Sequence, residues 1–126
     1  MIVEAPVSLG ELVDKITILR IKSRNISDPL KLKNVNEELN TLGTVLSHLN
    51  IPDILSEFQS LENINAELWD IEDKIRVKES RKEFDQEFIE LARSVYVTND
   101  RRAKVKKDIN LKVGSELVEE KSYEQY

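Results

Sequence analysis

Apolar side chains recur three and four residues apart along most of this chain, the period of an α-helix with one buried face. The first run is Leu9, Leu12, Val13, Ile16 and Leu19. Ile18 and Ile21 widen it, so this helix is expected to be contacted on two sides. It opens on Ser8-Leu9-Gly10-Glu11, a capping box whose serine oxygen accepts from a free backbone N–H while the glutamate reaches back to the cap. Pro6 keeps the chain upstream extended, and the helix is expected to stop near Asn25. A second run, Leu32, Val35, Leu39, Leu42 and Leu46 with Leu49 behind them, starts from Asp28-Pro29 and ends around Asn50. An aspartate cap followed by proline starts a helix well, because the first turn does not need the N–H that proline lacks. Gly43 inside this run costs roughly 1 kcal/mol against alanine and is expected to mark a close contact between helices.

The third run starts at Pro52-Asp53 and carries Phe58, Leu61, Ile64, Leu68, Ile71 and Ile75. Its alternating steps of three and four are the seam of a coiled coil. The phase then breaks, and Phe84, Phe88, Leu91, Val95, Val105 and Ile109 form a new seam on which Arg102 also falls. A turn is therefore expected between about Ile75 and Phe84, with Ser80-Arg81-Lys82-Glu83 as a second capping box. Gly114 is the natural stop. Val97-Thr98-Asn99-Asp100 offers a weaker alternative, a break within the fourth helix. Residues 115–126 read as a polar C-terminal arm packed on the bundle or on a second subunit, or as a frayed tail. The expected fold is all-α: one helical domain over residues 1–126, with about four helices in a bundle dominated by a long antiparallel hairpin.

Composition supports one domain of this kind. The chain has 126 residues, 40% hydrophobic and 34% charged, with only three glycines and three prolines to build loops. The lack of cysteine excludes a disulfide scaffold, a thiolate zinc site and a thiol nucleophile. A single histidine, His48, excludes the two-histidine zinc motifs. No metal and no cofactor are expected, and His48, near the end of the second helix, suits the helix dipole rather than catalysis. No apolar run approaches the roughly 20 residues that span a bilayer. The N-terminus lacks the basic-then-apolar pattern of a signal peptide, so the expected location is cytoplasmic.

A net charge of -5 argues against nucleic-acid binding. The charge is uneven. Residues 51–73 hold seven acids and no Lys or Arg, while residues 97–113 hold six bases and two acids. In an antiparallel hairpin, residue 61 lies near residue 107 and residue 68 near residue 100, so the acidic and basic halves face each other. Each exposed pair contributes little; together they favour this alignment and account for the basic run without nucleic acid.

The same alignment defines a candidate site. Trp69, Glu72, Asp73 and Arg76 share one face of the third helix, and Arg93, Tyr96, Asn99 and Asp100 share one face of the fourth. The two sets are expected to meet, with Trp69 beside Tyr96 and Arg102 nearby. Arginines placed so clamp a carboxylate or phosphate bidentately; the simpler reading is a self-satisfied ion-pair network that sets helix register. Arg102, on an apolar seam, needs a partner acid, Asp70 or Glu67, or a ligand anion. Glu11, Asp14, Lys15 and Lys22 give the first helix a solvated face with a Glu11–Lys15 pair, or else Lys15 turns inward to join the cluster. Small helical chorismate mutases use such Arg, Lys and Glu residues, although no ordered motif matches. Helical nucleoside triphosphate pyrophosphatases hold magnesium between paired carboxylates. Glu37-Glu38 and Glu67 with Asp70 are partly similar to these, but Asn40 and Thr41 stand where a later acid belongs.

Four strings resemble a bacterial domain of unknown function, the family numbered 6165: Ser8-Leu9-Gly10-Glu11-Leu12-Val13-Asp14-Lys15-Ile16-Thr17-Ile18-Leu19, Leu68-Trp69-Asp70-Ile71-Glu72-Asp73-Lys74-Ile75-Arg76, Asn99-Asp100-Arg101-Arg102-Ala103 and Glu119-Glu120-Lys121-Ser122-Tyr123. The likeness runs over nearly the whole chain. It implies a surface-glycan context, near glycosyltransferases, and no reaction, and it carries over no catalytic residues. The functional expectation is a non-enzymatic interaction or accessory module. It is expected to be a homodimer, because the seams expose more apolar stripe than the first two helices cover. A glycosyltransferase or another protein is the expected partner, with no nucleic acid and no membrane. The alternative is a small-molecule binding protein, or an enzyme acting on an anionic metabolite, through Arg76, Arg93, Arg102 and the neighbouring acids.

Overall fold

The computed structural model describes residues 1–126 and holds four helices and no strand: α1 (Leu9–Asn25), α2 (Pro29–Ser47), α3 (Leu55–Ser80) and α4 (Gln86–Val113). None is long and apolar enough to cross a membrane. The local start signals act as the chemistry requires. Ser8 Oγ accepts from Glu11 N, and Asp28 Oδ1 accepts from Leu30 N and Lys31 N with Pro29 in the first turn. The second half of the first capping box is not made, because the Glu11 carboxylate is turned to Lys106 instead. α2 ends at Ser47, short of Asn50, and His48 closes it with Nδ1 donating to the Thr44 carbonyl. α3 begins at Leu55, whose N–H donates to Asp53 Oδ1.

The expected long hairpin forms. α3 and α4 run antiparallel, tied by Arg101–Glu67 at 2.7 Å and Lys112–Glu57 at 3.0 Å, the acid-to-base alignment that the charge pattern favours. Its turn lies later than expected. α3 continues through Ser80, whose hydroxyl donates back to the Val77 carbonyl and caps nothing. Asp85 is the cap of α4, accepting from Phe88 N at 3.0 Å. Lys82 takes the left-handed conformation, φ 56°, and Glu83 N donates to Lys78 O, which closes the end of α3. Lys78 gathers Glu83, Asp85 and Glu87 around its ammonium at 2.8–3.2 Å. Those hydrogen bonds, led by Asp85 and opposed by burial, push the lysine well above its usual range. α4 is unbroken through Thr98.

α1 is the centre of the bundle and packs against all three other helices, whereas α2 packs on α1 alone. Val13, Ile54, Leu61 and Ile109 form the innermost core, each fully buried aliphatic side chain stabilising by about 1.5–3 kcal/mol. Arg20 and Arg24 fasten α1 to α3 through Glu62 at 3.0 and 3.1 Å. Of the apolar stripe on α2 only Val35 is buried. Gly43 has nothing within 4 Å of where a Cβ would stand, so it marks no close contact; that role falls to Gly10, which lies against α4.

Gly114 ends α4 at φ 66°, with Ser115 N donating to Asn110 O at 2.9 Å. A Cβ at that position would meet nothing, so Gly114→Ala isolates the backbone preference. It is expected to lower stability by about 1–2 kcal/mol, read from urea unfolding. Beyond Gly114, residues 115–126 return along α4. Glu119 reaches Lys106, Glu120 lies 3.8 Å from Lys107, and the Tyr126 hydroxyl donates to Asp100 while its ring packs on Tyr96.

Candidate functional site

The centre of the polar chemistry is Asp14, which is 2% exposed although charged. α1 places Gly10, Asp14, Thr17 and Ile21 in steps of four, three and four, a second buried seam beside the leucine stripe. α4 answers with Thr98, Arg102, Lys106 and Asn110 at steps of four, and α3 supplies Asn65. Arg102 grips the Asp14 carboxylate with two parallel bonds, Nε to Oδ1 at 2.9 Å and Nη2 to Oδ2 at 2.5 Å. Asn65 Nδ2 donates to Asp14 Oδ1 and to Thr17 Oγ1, both at 2.9 Å, and Thr17 Oγ1 donates to the Asp14 carbonyl at 2.7 Å. One turn further along α4, Lys106 is held by Glu11 at 2.8 Å and by Glu119 of the arm at 3.0 Å, with Asp14 at 3.7 Å.

Burial alone would raise the Asp14 pKa. The hydrogen bonds from Arg102 and Asn65, then the charges of Arg102 and Lys106, outweigh it and hold the carboxyl below its ordinary value. Lys106 is the mirror case: burial pulls it down, and hydrogen bonds to Glu11 and Glu119 carry it above its ordinary value. A carboxylate held ionised this firmly is a poor proton acceptor near neutral pH, where an effective base has a pKa close to the working pH. Asp14 therefore holds Arg102 in place rather than accepting protons. Arg102 is paired with neither of the acids expected for it. Glu67 is taken by Arg101, and the acid that meets Arg102 comes from α1. Lys15 is exposed and pairs with Glu38 of α2 at 2.9 Å, so it neither joins Glu11 nor turns inward.

The nine residues of the expected cluster are divided. Trp69, Glu72, Asp73 and Arg76 of α3 line a hollow of about 350 Å³ together with Arg102. Its other wall is α1, through Ile18, Ile21 and Lys22. Tyr96, Asn99 and Asp100 line a separate hollow, between α4 and the returning arm. Tyr96 meets Tyr126 there, ring centroids 5.2 Å apart, and not Trp69. Arg93 is exposed and belongs to neither hollow. The split follows from helix geometry. Asp100 and Arg102 are two residues apart, and positions i and i+2 point to nearly opposite sides of a helix.

Thr17, Asn65 and Lys106 are the residues that sequence reasoning missed, and Asp14, read as part of a solvated face, is buried instead. Their signal was the polar seam at helical spacing, hidden beside the apolar one. The carboxylates of the magnesium reading do not converge. Glu37 and Glu38 sit on α2, which does not touch α3, where Glu67 and Asp70 lie. No group of three or more acids and histidines is placed to hold a metal ion. Compared with known proteins, residues 1–126 match the model of a family described as "Family of unknown function (DUF6165)". No curated protein and no solved structure matches the chain.

Proposed function

The chain belongs to DUF6165, a family of unknown function, and we propose that it is a non-enzymatic interaction module that pairs with a second copy through the outer half of the α3–α4 hairpin. The observation that carries this is how far the hairpin outruns its cover. α1 has 17 residues against 26 in α3 and 28 in α4. At 1.5 Å per residue, each hairpin helix is about 15 Å longer than the helix that covers it. Along the half nearer the turn, Ile71, Ile75, Phe88, Leu91 and Val95 are only half-buried. Val77, Phe84, Ile89 and Val97 are exposed, 41–56% each. Two helices cannot bury both of their apolar edges against each other. Two hairpins laid together bury them as a four-helix bundle, and a two-fold axis lets one patch serve both copies.

Sedimentation equilibrium tests the pairing. The wild-type chain is expected to be a dimer, and Ile89→Glu a monomer with unchanged helix content by circular dichroism. A wild-type monomer at the highest soluble concentration ends the reading. Within it, the module serves surface-glycan assembly in the bacterial cytoplasm, with a glycosyltransferase as its second partner. The resemblance of the four sequence strings supports that part. A deletion strain with unaltered surface polysaccharide would sink it.

A further inference from the structure

The hollow between α1 and α3 has a property that pairing of hairpins does not use. Its wall is largely apolar, formed by Ile18, Ile21, Leu68 and the ring of Trp69. Arg102 contributes to the same lining with part of its guanidinium uncommitted. Asp14 takes the side-on edge, Nε and Nη2. Nη1 has no acceptor in the protein, so the end-on edge formed by Nη1 and the second Nη2 hydrogen remains. That edge is a planar two-donor fork, the shape that matches a carboxylate. Asp14 holds the arginine still, so a ligand meets a group already oriented, which lowers the cost of binding. Lys22, half-buried in the lining, pairs with no carboxylate.

Charge sets the valence of the ligand. The lining carries three bases, Lys22, Arg76 and Arg102, and two acids, Glu72 and Asp73. Glu72 pairs with Arg76 at 3.4 Å on the exposed side, and Asp14 stands behind Arg102. Lys22 and Asp73 remain, neither in an ion pair, so the lining sums to +1 by itself and to zero with Asp14 counted. A dianion or a nucleoside polyphosphate would exceed the charge of the lining. At about 350 Å³ the hollow is near the small end of the range for ligand pockets.

We propose that this hollow is a binding site for a small monocarboxylate with an apolar ring or branched body, the carboxylate seated on the free edge of Arg102 beside Lys22 and the body laid against Trp69.

Trp69 is the single tryptophan of the chain, so its indole N–H signal in proton–nitrogen correlation spectra reports the hollow directly. Phenylpropanoate is expected to shift that signal saturably, with a Kd of about 1 mM or tighter. The neutral phenylpropanamide should bind roughly tenfold more weakly, because it loses the charge-assisted hydrogen bonds. Arg102 variants risk the fold through Asp14, so Lys22→Ala is the variant to use. It should leave the melting temperature unchanged and weaken phenylpropanoate about fivefold, in the range of a charged pair at a partly exposed site. Phenyl phosphate and phthalate, as a phosphate and a dicarboxylate, should bind no better than the monocarboxylate. The proposal is overturned if no saturable shift occurs up to the solubility limit, if the amide matches the acid, if either dianion is preferred, or if Lys22→Ala binds as the wild type does. None of these readings depends on whether the chain is a dimer.

Discussion

Asp14→Ala is expected to destabilise the fold by about 3–5 kcal/mol, the range found when one partner of a buried ion pair is removed. The loss comes from what stays behind. Arg102 would keep a partly buried charge with its grip broken, Lys106 would lose the acid at 3.7 Å, and Asn65 would lose one of its two acceptors. Domains of this size are stable by only about 5–15 kcal/mol in all. Urea unfolding followed by circular dichroism checks it, with a lower midpoint and an unchanged slope. Asp14→Leu combined with Arg102→Leu should cost less than the single change, since removing both charges leaves neither stranded. A single variant that unfolds within 1 kcal/mol of wild type, about a fivefold change in equilibrium, would show that the pair is not buried in solution.

The same carboxylate contributes to the acid sensitivity of the protein. Asp14 is held below its ordinary value of 3.8, so the folded state binds its proton less readily than the unfolded state does. Its contribution is complete above that ordinary value and is lost as pH falls through it toward the lower folded value. Stability should therefore drop as pH falls below about 4, and in the Asp14→Leu, Arg102→Leu variant that part of the drop should be missing.

Gly10→Ala is the second large effect, expected at about 3 kcal/mol. A Cβ there would stand 2.6 Å from the Lys106 backbone oxygen and 2.9 Å from Asn110 Oδ1. A backbone atom cannot rotate aside, so α1 and α4 must separate. That strains the contact and stretches the buried bond from Gly10 N to Asn110 Oδ1, now 2.8 Å. Alanine's better helix propensity offsets only about 1 kcal/mol of this. Gly43→Ala is the control of opposite sign. It meets nothing within 4 Å and should stabilise by up to about 1 kcal/mol. Equal shifts in the two variants would contradict the close approach at Gly10.

Much of the fold was legible before any coordinates. Ser8, Asp28 and Gly114 act where they were read, because a cap is a bond within three or four residues of its own position. The hairpin alignment was legible as well, since Glu57 and Glu67 carry charge opposite to Lys112 and Arg101. The turn was not. Ser80 with Glu83 and Asp85 with Phe88 both fit a helix start, and what separates them is Lys78 drawing three acids of the turn around one ammonium. The face shared by Trp69, Glu72, Asp73 and Arg76 could be read from spacing alone. Its partner could not, because which helix lies opposite is no property of α3.

The sequence by itself determined the four helices, their antiparallel hairpin and one wall of the hollow, for these follow from period and from bonds between near neighbours. Only the tertiary structure decided that Asp14 meets Arg102, 88 residues away, that Gly10 and not Gly43 is the close approach, and that Tyr96 and Trp69 face different hollows. Those outcomes depend on how α1 is rotated about its axis as it settles against α3 and α4. A helix with two seams, one of leucines and one running through Gly10, Asp14 and Thr17, fits that groove in a single rotation, set by all three helices together.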